Sequence, residues 1–202
     1  MTESLIPMRF FRLFLEILNV EVGPATLQII MAKGSLPPDF CDPQSLSRFT
    51  GASAAEAYAN IQKALRAYYG RGARGVLLRI GRLIWRRLLE NGAIHEKAQL
   101  QLIRAMPVTM RRKQVLELLA RFLREKPDGN TVHSLDMDLL LVDRASAATV
   151  GQKEGGAICS VTLGMIQEAF FWATGSEVDV EETTCRAVEG GQCEFKVKTG
   201  AK

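Results

Sequence analysis

The fold is decided by one stretch near the C-terminus, 178-VDVEETTCRAVEGGQCEFKV-197. In residues 178–181 apolar and acidic side chains alternate, which is typical of a strand with one buried face. Residues 189–192 contain two consecutive glycines and predict a turn. Residues 193–197 alternate again, so the stretch predicts two antiparallel strands joined by a hairpin.

Most of the sequence before this stretch has apolar side chains at helical spacing. A helix is predicted over residues 157–174, ended by Gly175, and a strand over residues 132–142. Six earlier helices are predicted at residues 8–22, 24–34, 53–69, 74–89, 96–104 and 109–126. We therefore expect an α+β fold in which a helical layer packs on a small antiparallel sheet.

The composition predicts one globular domain. The chain has 202 residues, of which 47% are hydrophobic and 24% charged, and this balance excludes a disordered or fibrous protein. We expect a single domain over residues 1–202, with an N-terminal helical lead-in at 1–60 and a core at 61–202. No run of 18 apolar residues occurs, the start lacks the features of a signal peptide, and four cysteines are too few for a disulfide scaffold. The expected location is the cytoplasm.

Charge is distributed unevenly along the chain. The net charge is +4, but residues 61–126 carry +12 and residues 127–202 carry −6. Such asymmetry is compatible with an anionic partner such as nucleic acid or a membrane surface, with attraction between the two halves of one domain, or with dimerisation. No aromatic side chains suited to stacking on bases are interleaved with the arginines, so direct nucleic-acid binding is not predicted.

Three cysteines and one glutamate form the candidate site: Cys159, Glu182, Cys185 and Cys193. Strand alternation places Glu182 on the apolar face with the two valines before it, and an inward carboxylate is costly unless it is paired or neutralised. Cys193 shares the apolar face of the following strand. Free cysteines are often simply small buried hydrophobes. Alternatively, three thiolates and a carboxylate satisfy a tetrahedral metal site, for which zinc or copper(I) is favoured.

The spacing of these residues resembles that of the 4-vinyl reductase domain family. The matching positions are Cys159, Gly164, Gly175, residues 178–187, Gly190 or Gly191 and residues 193–195, together with residues 69–75 and 78–82 and an N-terminal lead-in around residues 18–36. The resemblance implies a fold shared with small subunits of vesicle-tethering complexes and with sensor domains of aromatic-responsive bacterial activators. It also implies a homodimer and a structural zinc ion held by Cys159, Glu182, Cys185 and Cys193.

The function predicted on this basis is a zinc-stabilised, non-catalytic protein that binds or senses a small hydrophobic or aromatic molecule. A separate signalling or biosynthetic protein would be its partner. Candidate residues for lining the ligand pocket, each of which is equally compatible with core packing, are Trp85, His133, Met137, Phe170, Phe171 and Trp172.

The alternative function is that of a protein related to tetrapyrrole vinyl reductases, or a tetrapyrrole carrier, in chlorophyll or bacteriochlorophyll biosynthesis. Residues 70–75 fit the letters of a dinucleotide-binding motif, but they follow a helix and lack the preceding strand. With three cysteines used for a metal ion, four cysteines no longer supply an iron–sulfur ligand set. We therefore predict no catalytic residues.

Overall fold

The computed structural model describes residues 5–37, 49–124 and 129–200. Eight α-helices and four β-strands are present in these ranges. The helices are α1 (Met8–Val22), α2 (Pro24–Lys33), α3 (Gly51–Tyr69), α4 (Ala73–Glu90), α5 (Ile94–Ala105), α6 (Val108–Leu123), α7 (Ser160–Thr174) and the short α8 (Arg186–Glu189). The strands are β1 (Asn130–Leu135), β2 (Asp138–Asp143), β3 (Asp179–Thr184) and β4 (Cys193–Lys198). None of these helices is long and apolar enough to cross a membrane.

The N-terminal helices pack through aromatic side chains. Phe10 and Phe14 of α1 meet the ring of Tyr58 in α3 edge-on, with ring centroids 5.7 and 4.7 Å apart. All three side chains are buried. Because the apolar positions of both helices recur at the helical period, these faces are forced together by burial of hydrophobic surface.

The four strands form one antiparallel sheet in the order β1-β2-β4-β3. The last strand therefore inserts between β2 and β3, and Leu141 lies opposite Phe195 at the centre of the sheet. The single strand expected for residues 132–142 is wrong, and the expected buried face is present only in β2, where Leu139 and Leu141 are buried, whereas Leu135 and Met137 are exposed. A tight turn divides this segment into β1 and β2, because Asp136 adopts the left-handed conformation (φ 49°), which aspartate tolerates better than most residues.

Helix α7 crosses α4 at very close range. A side chain at Gly164 would collide with the carbonyl group of Leu78, and one at Gly81 would collide with that of Val161. Two glycines therefore allow the helix backbones to touch. Beside this crossing, the buried Glu168 accepts a hydrogen bond of 2.7 Å from Arg86. The crossing fixes the position of α7, and with it the residue that precedes the helix, Cys159.

The architecture confirms the expected α+β class, with helices packed on a small four-stranded antiparallel sheet. Helix α7 ends at Gly175, which has the left-handed conformation (φ 74°) of a helix stop. The expected helices agree with the observed ones to within a few residues, since each carries a continuous apolar stripe.

The glycine crossing makes a clear stability prediction. Gly164→Ala places a methyl group against the backbone of α4, which must shift, so we expect the free energy of unfolding to fall by about 3 kcal/mol. Chemical denaturation monitored by circular dichroism measures this loss. The matched control is Gly75→Ala, because Gly75 lies in α4 with nothing within 4 Å of an added methyl group. There the change should increase stability by about 1 kcal/mol, and equal losses in the two variants would contradict the close crossing.

Candidate thiol and carboxylate site

The four residues singled out in the sequence converge at one point. Cys159 precedes α7, Glu182 lies in β3, Cys185 precedes α8 and Cys193 begins β4. Their three sulfur atoms and one carboxylate oxygen all lie within 4.8 Å of one another. The three cysteines are buried, with at most 4% of each exposed, and Glu182 is half-buried. We call these four residues the thiol cluster.

A β-bulge brings Cys185 into the thiol cluster. Glu182 pairs with Phe195, but Thr184 already pairs with Glu194, so the register shifts between these positions. Without the shift, alternation from the inward Glu182 would point Cys185 away from the apolar face. The extra residue of the bulge reverses this parity, which places Cys185 on the same side as Cys193.

Few hydrogen bonds satisfy the polar atoms of the thiol cluster. The carboxylate of Glu182 accepts a bond of 2.9 Å from the backbone N–H of Cys159. The backbone N–H of Arg186 donates to the sulfur of Cys193 at 3.4 Å, and this sulfur lies 3.6 Å from that of Cys159. The second carboxylate oxygen of Glu182, Oε1, is buried without a partner among the described residues. An unpartnered carboxylate oxygen beside three sulfurs is the arrangement that a cation would satisfy.

The carboxyl group of Glu182 holds its proton unusually tightly. Burial raises its pKa to about 8, against the lowering effect of its hydrogen bond with Cys159. A protonated, neutral carboxyl group is therefore favoured near neutral pH as long as no cation is bound.

Hydrogen bonds among the three thiols give them different pKa values. Hydrogen bonding from Cys159 and Cys193 lowers the pKa of Cys185. In turn, the bonds to Cys185 and Cys193, together with burial, raise the pKa of Cys159 well above its ordinary value. Cys185 is therefore the first thiolate of the cluster, stabilised by the S–H groups of its neighbours. A second thiolate at this point requires a compensating positive charge.

Two polar residues next to the thiol cluster were missed in the sequence. Asp143 lies opposite Cys193 across the β2–β4 pair, and burial raises its pKa to about 6. The hydroxyl group of Ser146 lies 3.7 Å from the sulfur of Cys159. Asp143 could have been predicted from the strand pattern. Leu139 and Leu141 point inward, and residue 143 lies two positions further along the same face. No local pattern indicates Ser146, which follows the strand in an irregular connection.

The residues expected to line a hydrophobic pocket occupy separate environments. Trp85 and Phe170 are fully buried in the core, and the ring of Trp85 meets that of Trp172 edge-on at 6.3 Å. By contrast, His133 is exposed on β1, Met137 is 70% exposed in the β1–β2 turn, and Phe171 is 42% exposed. The two buried aromatics act as core side chains, and the six residues do not gather around one cavity.

An open groove of about 550 Å³ reaches the thiol cluster from outside. It runs between the start of α7 and the edge strand β3. We call it the Glu182 groove, and its lining residues are Arg74, Ala157, Ser160, Leu163, Asp179, Val180, Glu181, Glu182 and Lys198. Its walls are mostly polar and charged, in contrast to the apolar walls of most small-molecule pockets.

Known structures share the whole fold. No family model matches the sequence, and the comparison with curated proteins finds no match. Among solved structures, an H-NOX protein from S. oneidensis in the Fe(II) ligation state has a TM-score of 0.57 at 11% identity, covering 96% of this chain and 96% of its own. An H-NOX protein from K. algicida has a TM-score of 0.53 at 14% identity, covering 96% and 97% of the two chains. An oxygen-binding H-NOX domain related to soluble guanylate cyclases has a TM-score of 0.50 at 11% identity.

These comparisons overturn several predictions. The structures that share this fold are H-NOX proteins, and they do not support membership of the 4-vinyl reductase family. Since these proteins are described by their heme, the zinc cofactor, the hydrocarbon-binding function and the vinyl-reductase alternative are wrong as predicted. The physical reason is that the spacing of Cys159, Glu182, Cys185 and Cys193 determines which side chains can meet but does not identify an ion. What the comparisons establish for this chain is its fold, which is that of the H-NOX domains.

Proposed function

We propose that this chain is a heme-free protein of the H-NOX fold whose thiol cluster binds one thiophilic metal ion. The observation that carries the proposal is the convergence of three sulfurs and one carboxylate oxygen within 4.8 Å, at a point where Oε1 of Glu182 has no partner among the described residues. Sulfur-rich donor sets select soft metal ions over magnesium or calcium.

Binding of an ion would compensate the charge that the thiol cluster cannot otherwise hold. Each thiol must lose its proton to act as a ligand, and so must Glu182. In the absence of a cation, hydrogen bonds to the other two thiols keep the pKa of Cys159 above its ordinary value, and burial does the same for Glu182. A bound metal ion would stabilise the deprotonated forms of these groups. Its binding would therefore release protons and depend on pH.

The ligands lie on separate elements, so metal binding would be coupled to the stability of the C-terminal half. The start of α7, strand β3, the start of α8 and strand β4 each supply one side chain. A bound ion cross-links these elements, and its binding free energy adds to the free energy of unfolding. The function supported best is therefore the binding of a thiophilic metal ion, which would stabilise the C-terminal half of the fold.

In the described ranges, the histidines and the buried Tyr58 do not fit heme. Heme iron in proteins is held by a histidine, a cysteine thiolate, a methionine or a tyrosine next to a cavity for the macrocycle. Both histidines, His95 and His133, are exposed on the surface. Tyr58 is buried, but the rings of Phe10 and Phe14 pack directly on it.

The cysteines and the groove do not suit heme either. The three thiols face one another within 4.8 Å, whereas a heme iron with thiolate ligation takes a single cysteine. The Glu182 groove is lined by charged side chains, among them Asp179, Glu181 and Lys198, where a porphyrin needs apolar walls. We therefore propose no role that passes through heme.

We also propose that the protein forms a homodimer and lies in the cytoplasm. A reducing compartment would keep the three thiols available as ligands. Light scattering of the purified protein measures the mass of the assembly. The single-domain division at residues 1–60 and 61–202 is likewise still a prediction.

Metal titration tests the proposed site directly. We expect one equivalent of cobalt(II) to bind per chain and to give the intense near-ultraviolet absorption of thiolate-to-cobalt charge transfer. Cys185→Ser should weaken the binding at least 100-fold, because the variant loses the ligand whose pKa is already lowered. Isothermal titration and absorption measure both effects.

The control for this titration is Ser146→Ala. It removes the hydroxyl group that lies 3.7 Å from the sulfur of Cys159 but takes away none of the four ligands. All four ligands remain in this variant, so it should weaken cobalt(II) binding far less than Cys185→Ser does. Unchanged binding in Cys185→Ser, or a stoichiometric heme complex in the parent protein, would contradict the proposal.

The raised pKa of Glu182 predicts how the stability of the metal-free protein depends on pH. The folded protein keeps this proton up to about pH 8, whereas the unfolded chain loses it near pH 4.3, about the ordinary value. Stability from this group is therefore complete below about pH 4.3 and is lost as the pH rises to about 8. We expect a loss on the order of 2 kcal/mol across this window, since the group is partly screened by solvent.

Glu182→Gln should abolish this part of the pH dependence. The amide oxygen still accepts the hydrogen bond from the backbone N–H of Cys159, but the side chain no longer titrates. The matched control is Glu181→Gln, because Glu181 is exposed on the outward face of the same strand. Denaturation curves between pH 4 and pH 9, with a chelator present, measure the difference. If Glu182→Gln and Glu181→Gln kept the same pH dependence, the buried proton would not be on Glu182.

A further inference from the structure

The Glu182 groove is an open route to the thiol cluster. All three cysteines are buried, and Cys159 and Cys193 have no exposed surface at all. Glu182 is the one member of the thiol cluster that also lines the groove. An ion that arrives from this side therefore meets the carboxylate before it meets any sulfur.

One positive charge on the wall of the groove is not neutralised. Lys198 pairs with Asp179 at 2.9 Å and with Glu181 at 3.3 Å, so its positive charge is compensated and one negative charge is left over on this part of the wall. Arg74, in the first turn of α4, is exposed and has no acidic partner within ion-pair distance in the described part of the chain. An unpaired guanidinium group favours a carboxylate, which it can hold through two parallel hydrogen bonds.

From this arrangement we propose that the Glu182 groove binds a small anionic thiol that carries the metal ion, with its carboxylate on Arg74 and its metal next to Glu182. The inference rests on the proposed function of the thiol cluster. A carrier of this class matches both Glu182 and Arg74 on the groove wall, since its sulfur holds a soft metal ion and its carboxylate matches the guanidinium group. The volume of about 550 Å³ is sufficient for a molecule of the size of a tripeptide.

The transfer that follows is a ligand exchange without oxidation or reduction. Glu182 first contacts the ion at the mouth of the cluster. Each sulfur–metal bond that breaks at the carrier is then replaced by one to a cysteine of the thiol cluster. Glu182 gives up its proton to the solvent as it takes the ion. Cys185 is already a thiolate, so its exchange releases the carrier as a thiolate, whereas Cys159 and Cys193 each pass a proton to the departing carrier thiolate. Charge and protons therefore balance, and the metal keeps its oxidation state.

The test compares two copper(I) carriers that offer the same donor atom. Glutathione has carboxylates, whereas dithiothreitol has none. Transfer to the full chain is stopped at timed intervals by rapid desalting, and the bound copper is counted by native mass spectrometry. We expect Arg74→Ala to slow transfer from glutathione about tenfold and Arg74→Glu to slow it further. Transfer from dithiothreitol should not change in either variant.

The matched control is Arg71→Ala, which removes an exposed arginine three residues away that does not line the groove. It should leave both rates unchanged. If Arg74→Ala slowed both carriers equally, or neither, the carboxylate contact would be refuted while the metal site stood. If copper(I) failed to bind the parent protein at equilibrium from either carrier, the proposed function itself would fail.

Discussion

A carboxylate turned toward the interior of a sheet needs a compensating partner, and the C-terminal half of this protein is arranged around one such group. Glu182 accepts a hydrogen bond from the backbone N–H of Cys159, and among the described residues its other oxygen has no partner and lies beside three sulfurs. That bond ties strand β3 to the residue that precedes α7. The hydrogen bond between the Cys159 N–H and the Glu182 carboxyl group therefore joins α7, the sheet and the thiol cluster.

The position of α7 sets the geometry of the hydrogen bond between Cys159 and Glu182. Contact between the backbones at Gly81 and Gly164 holds α7 against α4. The ion pair between Arg86 and the buried Glu168 fixes its rotation on the same side. Because protein interiors are close-packed, a shift of α7 by even part of an ångström would move Cys159 relative to the two strands. The helical layer thus determines whether the four ligands can meet.

Much of the fold and the membership of the thiol cluster follow from periodicity in the sequence. Helical spacing located α1 and α4, and strand alternation turned Glu182 inward. The bulge that admits Cys185 depends on pairing with β4, which no local pattern encodes. The division of β1 from β2 depends on one residue, Asp136, in a left-handed conformation.

The cofactor could not be predicted because ligand spacing is local, whereas the choice of a cofactor depends on the whole interior. Three cysteines and a glutamate bring together donor atoms that could hold a cation, but they do not define the ion. The same limit applies to the fold itself. H-NOX domains are described by their heme, yet in this chain His95 and His133 lie on the surface and aromatic side chains fill the core around Tyr58. A shared fold therefore leaves the chemistry of the site to its side chains.

X-ray absorption spectroscopy of the protein, purified from cells without added metal, identifies the bound ion and its neighbouring atoms. We expect one thiophilic metal ion per chain whose nearest neighbours are three sulfur atoms and one oxygen atom, as the four proposed ligands of the thiol cluster require. An iron centre surrounded by four porphyrin nitrogens, or a metal ion without sulfur neighbours, would contradict this expectation.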